Sequence, residues 1–220
     1  MSDWTYNGLF LGITDADALY HRMMAQPWTR ESPERAALHF GLSYKMFGGA
    51  QAHEIPTIPP FLMALSQKVS AITKHPVNYV QCHRFGPMQP VRPHEDPRGM
   101  CVPMVVVGQQ RTFRVGGTLD IPRSVRQSER KVEWHWPEEE ILMEHGSLLV
   151  FNGGRTIHSM HVATEDRDMA SLGFDWRISL LFRFTTPSMR KFGPGKNVNP
   201  AEYAQAVRDF QASGQMGLFA

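Results

Sequence analysis

The sequence predicts a mainly β fold, a sandwich or barrel with flanking helices, and two observations carry that prediction. First, from residue 78 onward short alternating or apolar runs recur: NYVQCHRF (78–85), CVPMVVVG (101–108), RTFRVGGTL (111–119), KVEWHW (131–136), HGSLLVF (145–151) and DWRISLLFRF (175–184). Gly, Pro or polar clusters separate them, the pattern of many short strands joined by turns. Second, helical periodicity is confined to the chain before residue 78 and to its C-terminal stretch. No repeat and no linker interrupts the 220 residues, so 1–220 reads as a single domain with its core at about 76–186.

The elements follow in order. Thr14, with Asp17 three residues on, predicts a capped helix start, and the helix runs to Gln26 ahead of Pro27. HFGLSYKMFGG (39–49) combines turn glycines with Tyr44, Met46 and Phe47 and reads as a short hairpin. EIPTIPP is a stiff connector into PFLMALSQKVSAIT, whose apolar positions 61, 62, 65, 69 and 72 have helical spacing. Near the end, Asn199, Pro200 and Glu202 supply an N-cap, an N1 proline and an acidic first turn. Tyr203, Ala206, Val207 and Phe210 form that helix's apolar stripe, and Gly214 ends it. PRSVRQSERK (122–131) reads as a solvated basic loop.

Composition narrows the function classes. Apolar residues make up 42% and charged residues 20%, enough to bury a core, and the net charge of +2 permits a polyanionic partner without demanding one. Two cysteines, Cys82 and Cys101, cannot build a disulfide framework. Without a basic leader or a run of roughly 18 apolar residues, neither a signal peptide nor a membrane span is expected. The expected location is the cytoplasm, or the nucleus in a eukaryotic source.

The sharpest chemical feature is His94-Glu95-Asp96. Residues two apart on a strand point to one face, so an imidazole and a carboxylate can reach the same metal. With a distant histidine they make the 2-His-1-carboxylate facial triad of non-haem iron(II) oxygenases, which leaves coordination positions open. The alternative is a surface His and Asp in a loop. HGSLLVFNGGRTIHSMH (145–161) offers His158 and His161 for the third ligand, and spacing does not decide between them. Arg177 and Arg183, six apart on an apolar strand, share a face. A guanidinium fork matches a carboxylate; the alternative is a structural ion pair.

In this order, these motifs resemble the AlkB-like branch of iron(II)/2-oxoglutarate dioxygenases over about residues 33–185. The resemblance includes HFGLSYKMFGG followed by IPP and a helix, Asn78 opening the strand that leads to HxD, two histidines three apart after GSLLVFNGG, and RxxxxxR. It implies a double-stranded β-helix (jelly-roll, cupin-like) core with an N-terminal α/β lid segment and a C-terminal helix. It implies iron(II) held by His94, Asp96 and His161 rather than His158, with 2-oxoglutarate and dioxygen as co-substrates. Arg177 would pair with 2-oxoglutarate, and Arg183, Ser179, His83 and Phe85 would line the same pocket. The sequence departs from the family there. His83 and Phe85 replace an Asn-x-Tyr pair, Ser179 stands where asparagine is common, and Arg98 replaces an acidic residue that reads the damaged base.

The implied reaction hydroxylates a C–H bond while 2-oxoglutarate becomes succinate and carbon dioxide. On an N-alkyl group of a flipped or single-stranded nucleic-acid base this is oxidative demethylation, as in base repair. Tyr44, Phe47 and Arg98 would then contact the substrate. The alternative is a small-molecule or amino-acid oxygenase on the same scaffold, with Arg98 holding a carboxylate. A third reading is a non-catalytic protein of the same fold that binds a metal or ligand.

Overall fold

The computed structural model describes residues 4–42, 53–96, 100–115, 139–153, 156–161, 173–186, 189 and 200–212. Tyr44, Phe47, Arg98, the run KVEWHW and the basic loop 122–131 lie outside them. Among the described residues the strands are β1 (Trp4–Asn7), β2 (Thr29–Ser32), β3 (Arg35–Gly41), β4 (His53–Ile55), β5 (Tyr79–Phe85), β6 (Val91–Glu95), β7 (Cys101–Gly108), β8 (Arg111–Val115), β9 (Glu139–Met143), β10 (Leu148–Asn152), β11 (Ile157–Met160) and β12 (Arg177–Arg183). The helices are α1 (Ile13–Met24), α2 (Pro60–Thr73) and α3 (Pro200–Ala212).

An eight-stranded sheet runs β1-β10-β7-β12-β5-β3-β2, with β4 added in parallel to β3. A four-stranded sheet, β6-β11-β8-β9, is antiparallel throughout. The large sheet is buried on both faces, and period-two alternation sorts its side chains. One face packs on the small sheet: Tyr79, Phe85, Met104, Val106, Leu149, Phe151 and Leu181 meet Phe113, Val115, Met143 and Met160. The other packs on α1 and α2, where Val80, Cys82, Val105, Val107, Ile178, Leu180 and Phe182 meet Leu19, Met23, Leu62 and Val69. Each fully buried aliphatic or aromatic side chain of this kind stabilises by about 1.5–3 kcal/mol.

The expected helices are present with shifted ends. Helix α1 begins at Ile13 because Gly12 is the last extended residue, and Thr14 lies inside the first turn rather than capping it. Its last residue is Met24, two short of Gln26. Helix α2 spans the expected residues, with Pro60 at N1, and turns off through Lys74 in the left-handed region (φ 57°). Helix α3 contributes Tyr203 and Val207 to the core between the sheets.

Strands β2 and β3 fill the segment between the first helix and the expected hairpin, and β3 takes in the hairpin's first residues, His39–Gly41. RAALHFG is buried from Ala36 to Phe40 because β3 lies between β5 and β2, a position its composition does not advertise. Two glycines are required by close approach. Gly41 (φ +83°) and Gly108 (φ +88°) would each drive a Cβ into a backbone carbonyl, of Asn78 and Trp176 respectively. Asn78 clamps this end of the sheet: its side chain donates to the Thr185 carbonyl (2.9 Å) and accepts from the Thr185 N–H (2.8 Å).

Candidate active site

Strand β6 carries His94, and Asp96 follows two residues later. In the antiparallel register with β11, His94 stands directly opposite His158. Their ring centroids are 4.1 Å apart, and His158 Nε2 lies 3.7 Å from Asp96 Oδ2. Both imidazoles are anchored the same way. His94 Nδ1 is 2.9 Å from the Arg92 carbonyl and His158 Nδ1 is 3.2 Å from the Thr156 carbonyl. A carbonyl only accepts, so each Nδ1 carries a hydrogen, and in a neutral ring so tied Nε2 keeps its lone pair. This is how a histidine is prepared for a metal through Nε2.

The local electrostatics follow from burial. His158 is enclosed by Phe151 and Phe113, with ring centroids 4.5 and 5.6 Å away. Burial, then the neighbouring His94, lowers its pKa to about 3, so it stays neutral. The Asp96 side chain is only 9% exposed. Burial pushes its carboxyl up, but Arg183, His158 and His94 together outweigh this and hold it well below the usual carboxylate range. Arg183 Nη2 donates to Asp96 Oδ1 at 2.8 Å, while Asp96 Oδ2 is buried without a hydrogen bond.

The sequence expectation joins His161 to His94 and Asp96 and turns His158 elsewhere; in the structure His158 is the one that stands opposite His94 and beside Asp96. His158 is the histidine that the strand register delivers. The His161 N–H donates to the Thr112 carbonyl at 3.1 Å, continuing the pairing in which Met160 stands opposite Phe113. His161 stands three positions after His158, just beyond the last residue of β11. Among the described residues no three His, Cys, Asp or Glu side chains are drawn in to bonding distance of one point. His94, Asp96 and His158 are neighbours by register, with one carboxylate oxygen engaged by Arg183.

The arginines do separate things. Arg177 and Arg183 both lie on the inner face of β12 and are fully or almost fully buried. At roughly 3.3 Å per residue their Cα atoms are about 20 Å apart, so they address different groups. Arg183 pairs with Asp96; Arg177 Nη1 lies 3.5 Å from the Met143 carbonyl at the opposite end. Between them Ser179 stands opposite His83, and Phe85 stands opposite Arg177, all facing inward and all buried. His83 is held neutral by burial first and by Arg35, His39 and Arg183 next, with Asp96 opposing.

Arg111 is a residue of this region that sequence reasoning passed over. It is fully buried at the β7–β8 corner. Its guanidinium donates to Gln109 Oε1 (2.8 Å), to the Gln89 carbonyl (3.0 Å) and to the Gly86 carbonyl. It thereby holds the β5–β6 turn, which launches the strand bearing His94. Alternation in RTFRV places it inward with Phe113 and Val115, but nothing in the sequence names its acceptors.

Two facing sheets of this topology, with helices packed on the outer face of the larger one, form a double-stranded β-helix. No protein-family model matches the chain, and no curated protein matches it. Among solved structures it is similar to the non-haem alpha-ketoglutarate-dependent epimerase SnoN from nogalamycin biosynthesis, with a TM-score of 0.51 and 12% identity over 90% of this chain and 85% of that one. A 2OG-Fe(II) oxygenase-family oxidoreductase from Burkholderia pseudomallei aligns at TM-score 0.49 and 9% identity over 82% of this chain and 83% of that one. A prolyl-4-hydroxylase from Pseudomonas putida aligns at 0.45 and 20% over 84% and 94%. The chain has the fold found in 2-oxoglutarate/iron(II) oxygenases. Among the described residues no helix is long and apolar enough to cross a membrane.

Proposed function

We propose that the protein is an iron(II)- and 2-oxoglutarate-dependent oxygenase in which His94, Asp96 and His158 hold the metal and a small molecule is the substrate. The observation that carries this reading is the pair of opposed histidines with Nδ1 tied back and Nε2 free, beside a buried carboxylate oxygen that has no hydrogen bond. Two neutral imidazoles and one carboxylate are the donor set that suits iron(II) with open positions. Bound there, iron(II) with 2-oxoglutarate and dioxygen supplies an oxidant able to break a substrate C–H bond, with succinate and carbon dioxide as co-products.

The chain's own residues have definable tasks in this reading. Arg183 neutralises Asp96 and fixes one of its oxygens, which leaves the other for the metal. Arg177, buried on the same inner face, offers a guanidinium to the distal carboxylate of 2-oxoglutarate. Phe113 and Phe151 exclude water from the His158 ring.

A small-molecule substrate is favoured by the likeness to SnoN, an epimerase of nogalamycin biosynthesis. The ordered motifs of the sequence also support a place in the AlkB-like branch. The residues that would bring a nucleic-acid base to the site, Tyr44, Phe47 and Arg98, lie outside the described residues. The test is succinate formation by the iron-loaded protein, with free amino acids and other small carboxylic acids beside N-methylated single-stranded oligonucleotides. Succinate coupled to oxygen insertion into a small molecule is the expected result. Coupling to the oligonucleotides alone would replace the substrate class, and no succinate under any condition would overturn the reading.

A further inference from the structure

Arg84 lies on the helix-side face of β5 with Val80 and Cys82, turned away from His94, Asp96 and His158. Its guanidinium carbon is 4.7 Å from the centroid of the Trp176 ring and 5.4 Å from that of Trp28. The strand order β12-β5-β3-β2 brings Trp176 from one side and Trp28, just before β2, from the other. Both tryptophans are themselves fixed. Trp28 Nε1–H donates to the Met23 carbonyl (2.8 Å), and the Trp176 carbonyl accepts from the Gln109 N–H (2.9 Å). The aromatic rings attract the cation and hold it in place.

This clamp supplies no hydrogen bond. Arg84 Nε is buried without an acceptor, and among the described residues no carboxylate or carbonyl bonds the two Nη nitrogens, the edge that solvent reaches. Arg35 and Arg183 of the same sheet differ, being paired with Glu31 and Asp96. An arginine ordinarily gives up rotamer freedom to hold a ligand, and one already clamped has less to lose. Arg30 and Arg84 stand opposite Ala36 from its two sides. They therefore share a face, with Cα atoms about 10 Å apart, two strand spacings. Arg30 is exposed and donates only Nε, to the Ser32 carbonyl (3.3 Å). Burial lowers the pKa of Arg84, Tyr20 opposes this, and Arg30 lowers it further, as for a cation short of an anion. Asp175, exposed beside Trp176, is not ion-paired with Arg84.

We propose that Arg84 and Arg30 form a binding site for a small dianion, a phosphate or dicarboxylate, on the outer face of the large sheet. A guanidinium edge meets an oxyanion through two parallel N–H donors. Arg84 supplies that edge already oriented, and Arg30 adds the second positive charge that a dianion matches. One fixed fork and one neighbouring charge suit a compact oxyanion, whereas a nucleic-acid strand needs a longer basic track. The site stands apart from the metal centre and does not depend on the oxygenase reading.

The test is NMR of the full chain carrying isotope-labelled tryptophan, titrated with inorganic phosphate or with succinate at an ionic strength held constant by sodium chloride. Trp28→Phe and Trp176→Phe assign the indole signals. In the wild-type protein the Trp28 and Trp176 signals should move saturably, while that of Trp4 on β1 stays in place. Arg84→Gln should weaken binding by at least about 10-fold, the worth of a hydrogen bond to a charged group. Arg84→Lys keeps the charge without the fork and should fall between the two. Arg30→Ala should cost about 2- to 5-fold, and Asp175→Asn should tighten binding. The melting temperature and cobalt(II) affinity should stay near the wild-type values in each variant, which separates loss of the site from loss of the fold. A response to one anion and not the other supports the site and names the group it takes. No saturable shift with either anion, or equal shifts in wild type and Arg84→Gln, would overturn it. Saturable shifts with a single-stranded oligonucleotide and with neither small anion would overturn the dianion and make this face a polyanion surface.

Discussion

Strand β12 sends Ile178, Leu180 and Phe182 to one face of the large sheet and Arg177, Ser179 and Arg183 to the other, and both sets are buried. The first set packs on α1 and α2 and behaves as an ordinary core. The second, with His83 and Gln81 of β5, faces the small sheet, whose strands β11 and β6 bring His158 and Asp96 to it. Burying so many polar groups costs stability unless each is paired. The helix-covered face supplies the rigidity that holds the inner one. One strand therefore serves both ends, and alternation with period two is what keeps them separate.

The largest expected effect tests which histidine belongs to the inner face. His158→Ala should lower cobalt(II) affinity by at least about 100-fold, since even partners outside the ligand set commonly cost 10- to 100-fold. His161→Ala should leave it nearly unchanged. The reverse result in equilibrium metal titration would move the proposed metal ligand to His161, just past β11, and break the register argument.

The next effect belongs to the other face. Leu180→Ala should destabilise the protein by about 2–5 kcal/mol in urea unfolding, the usual cost of emptying a fully buried leucine site. Metal affinity measured in the absence of denaturant should not change. A matching loss of metal affinity would mean that the two faces are not independent.

A smaller effect is expected at the corner that joins the two sheets. Arg111→Met keeps much of the buried volume but releases the Gly86 and Gln89 carbonyls. Cobalt(II) affinity should drop by about 10-fold, in the range for residues that orient metal ligands. Arg114→Ala, which loses only the partly exposed pair with Glu140, serves as the neighbouring control and should have little effect.

The smallest effect is a pH dependence. Burial depresses the His83 pKa well below 6.5, so the unfolded chain takes up a proton that the folded chain refuses. The stability associated with that neutral ring is present above pH 6.5 and is lost as pH falls below it. The slope is at most about 1.4 kcal/mol per pH unit for one proton. Urea midpoints from pH 7.5 to 5.5 in the metal-free protein should fall, and His83→Asn should make that dependence shallower, His158 supplying a further part of it. An unchanged slope in the variant would remove His83 from the account.

Much of the fold was legible in the sequence. Strands β7, β10 and β12 carry apolar runs and β5 an alternating one because they lie inside the large sheet, and such patterns stand out without any partner. Strand β9, with only Ile141 and Met143 buried, is an edge strand and looks like a charged loop. Strand β6 is too short and too polar to announce itself, although it carries His94. Within the candidate site, the spacing of His94 and Asp96 and the shared face of Arg177 and Arg183 were readable because both are local consequences of strand geometry.

That His158, and not His161, stands opposite His94 was not readable. It depends on which residue of β11 stands opposite His94, and a pairing register joins segments more than sixty positions apart. The same holds for Arg183, whose six-residue spacing from Arg177 predicts a common face but not the Asp96 carboxylate at its tip. Arg111 is the extreme case, since its carbonyl acceptors have no side-chain signature. The sequence by itself determined which residues could point inward, because backbone alternation is local. Only the tertiary structure decided which of them meet, because contacts between strands are set by long-range register and by the turns that fix it.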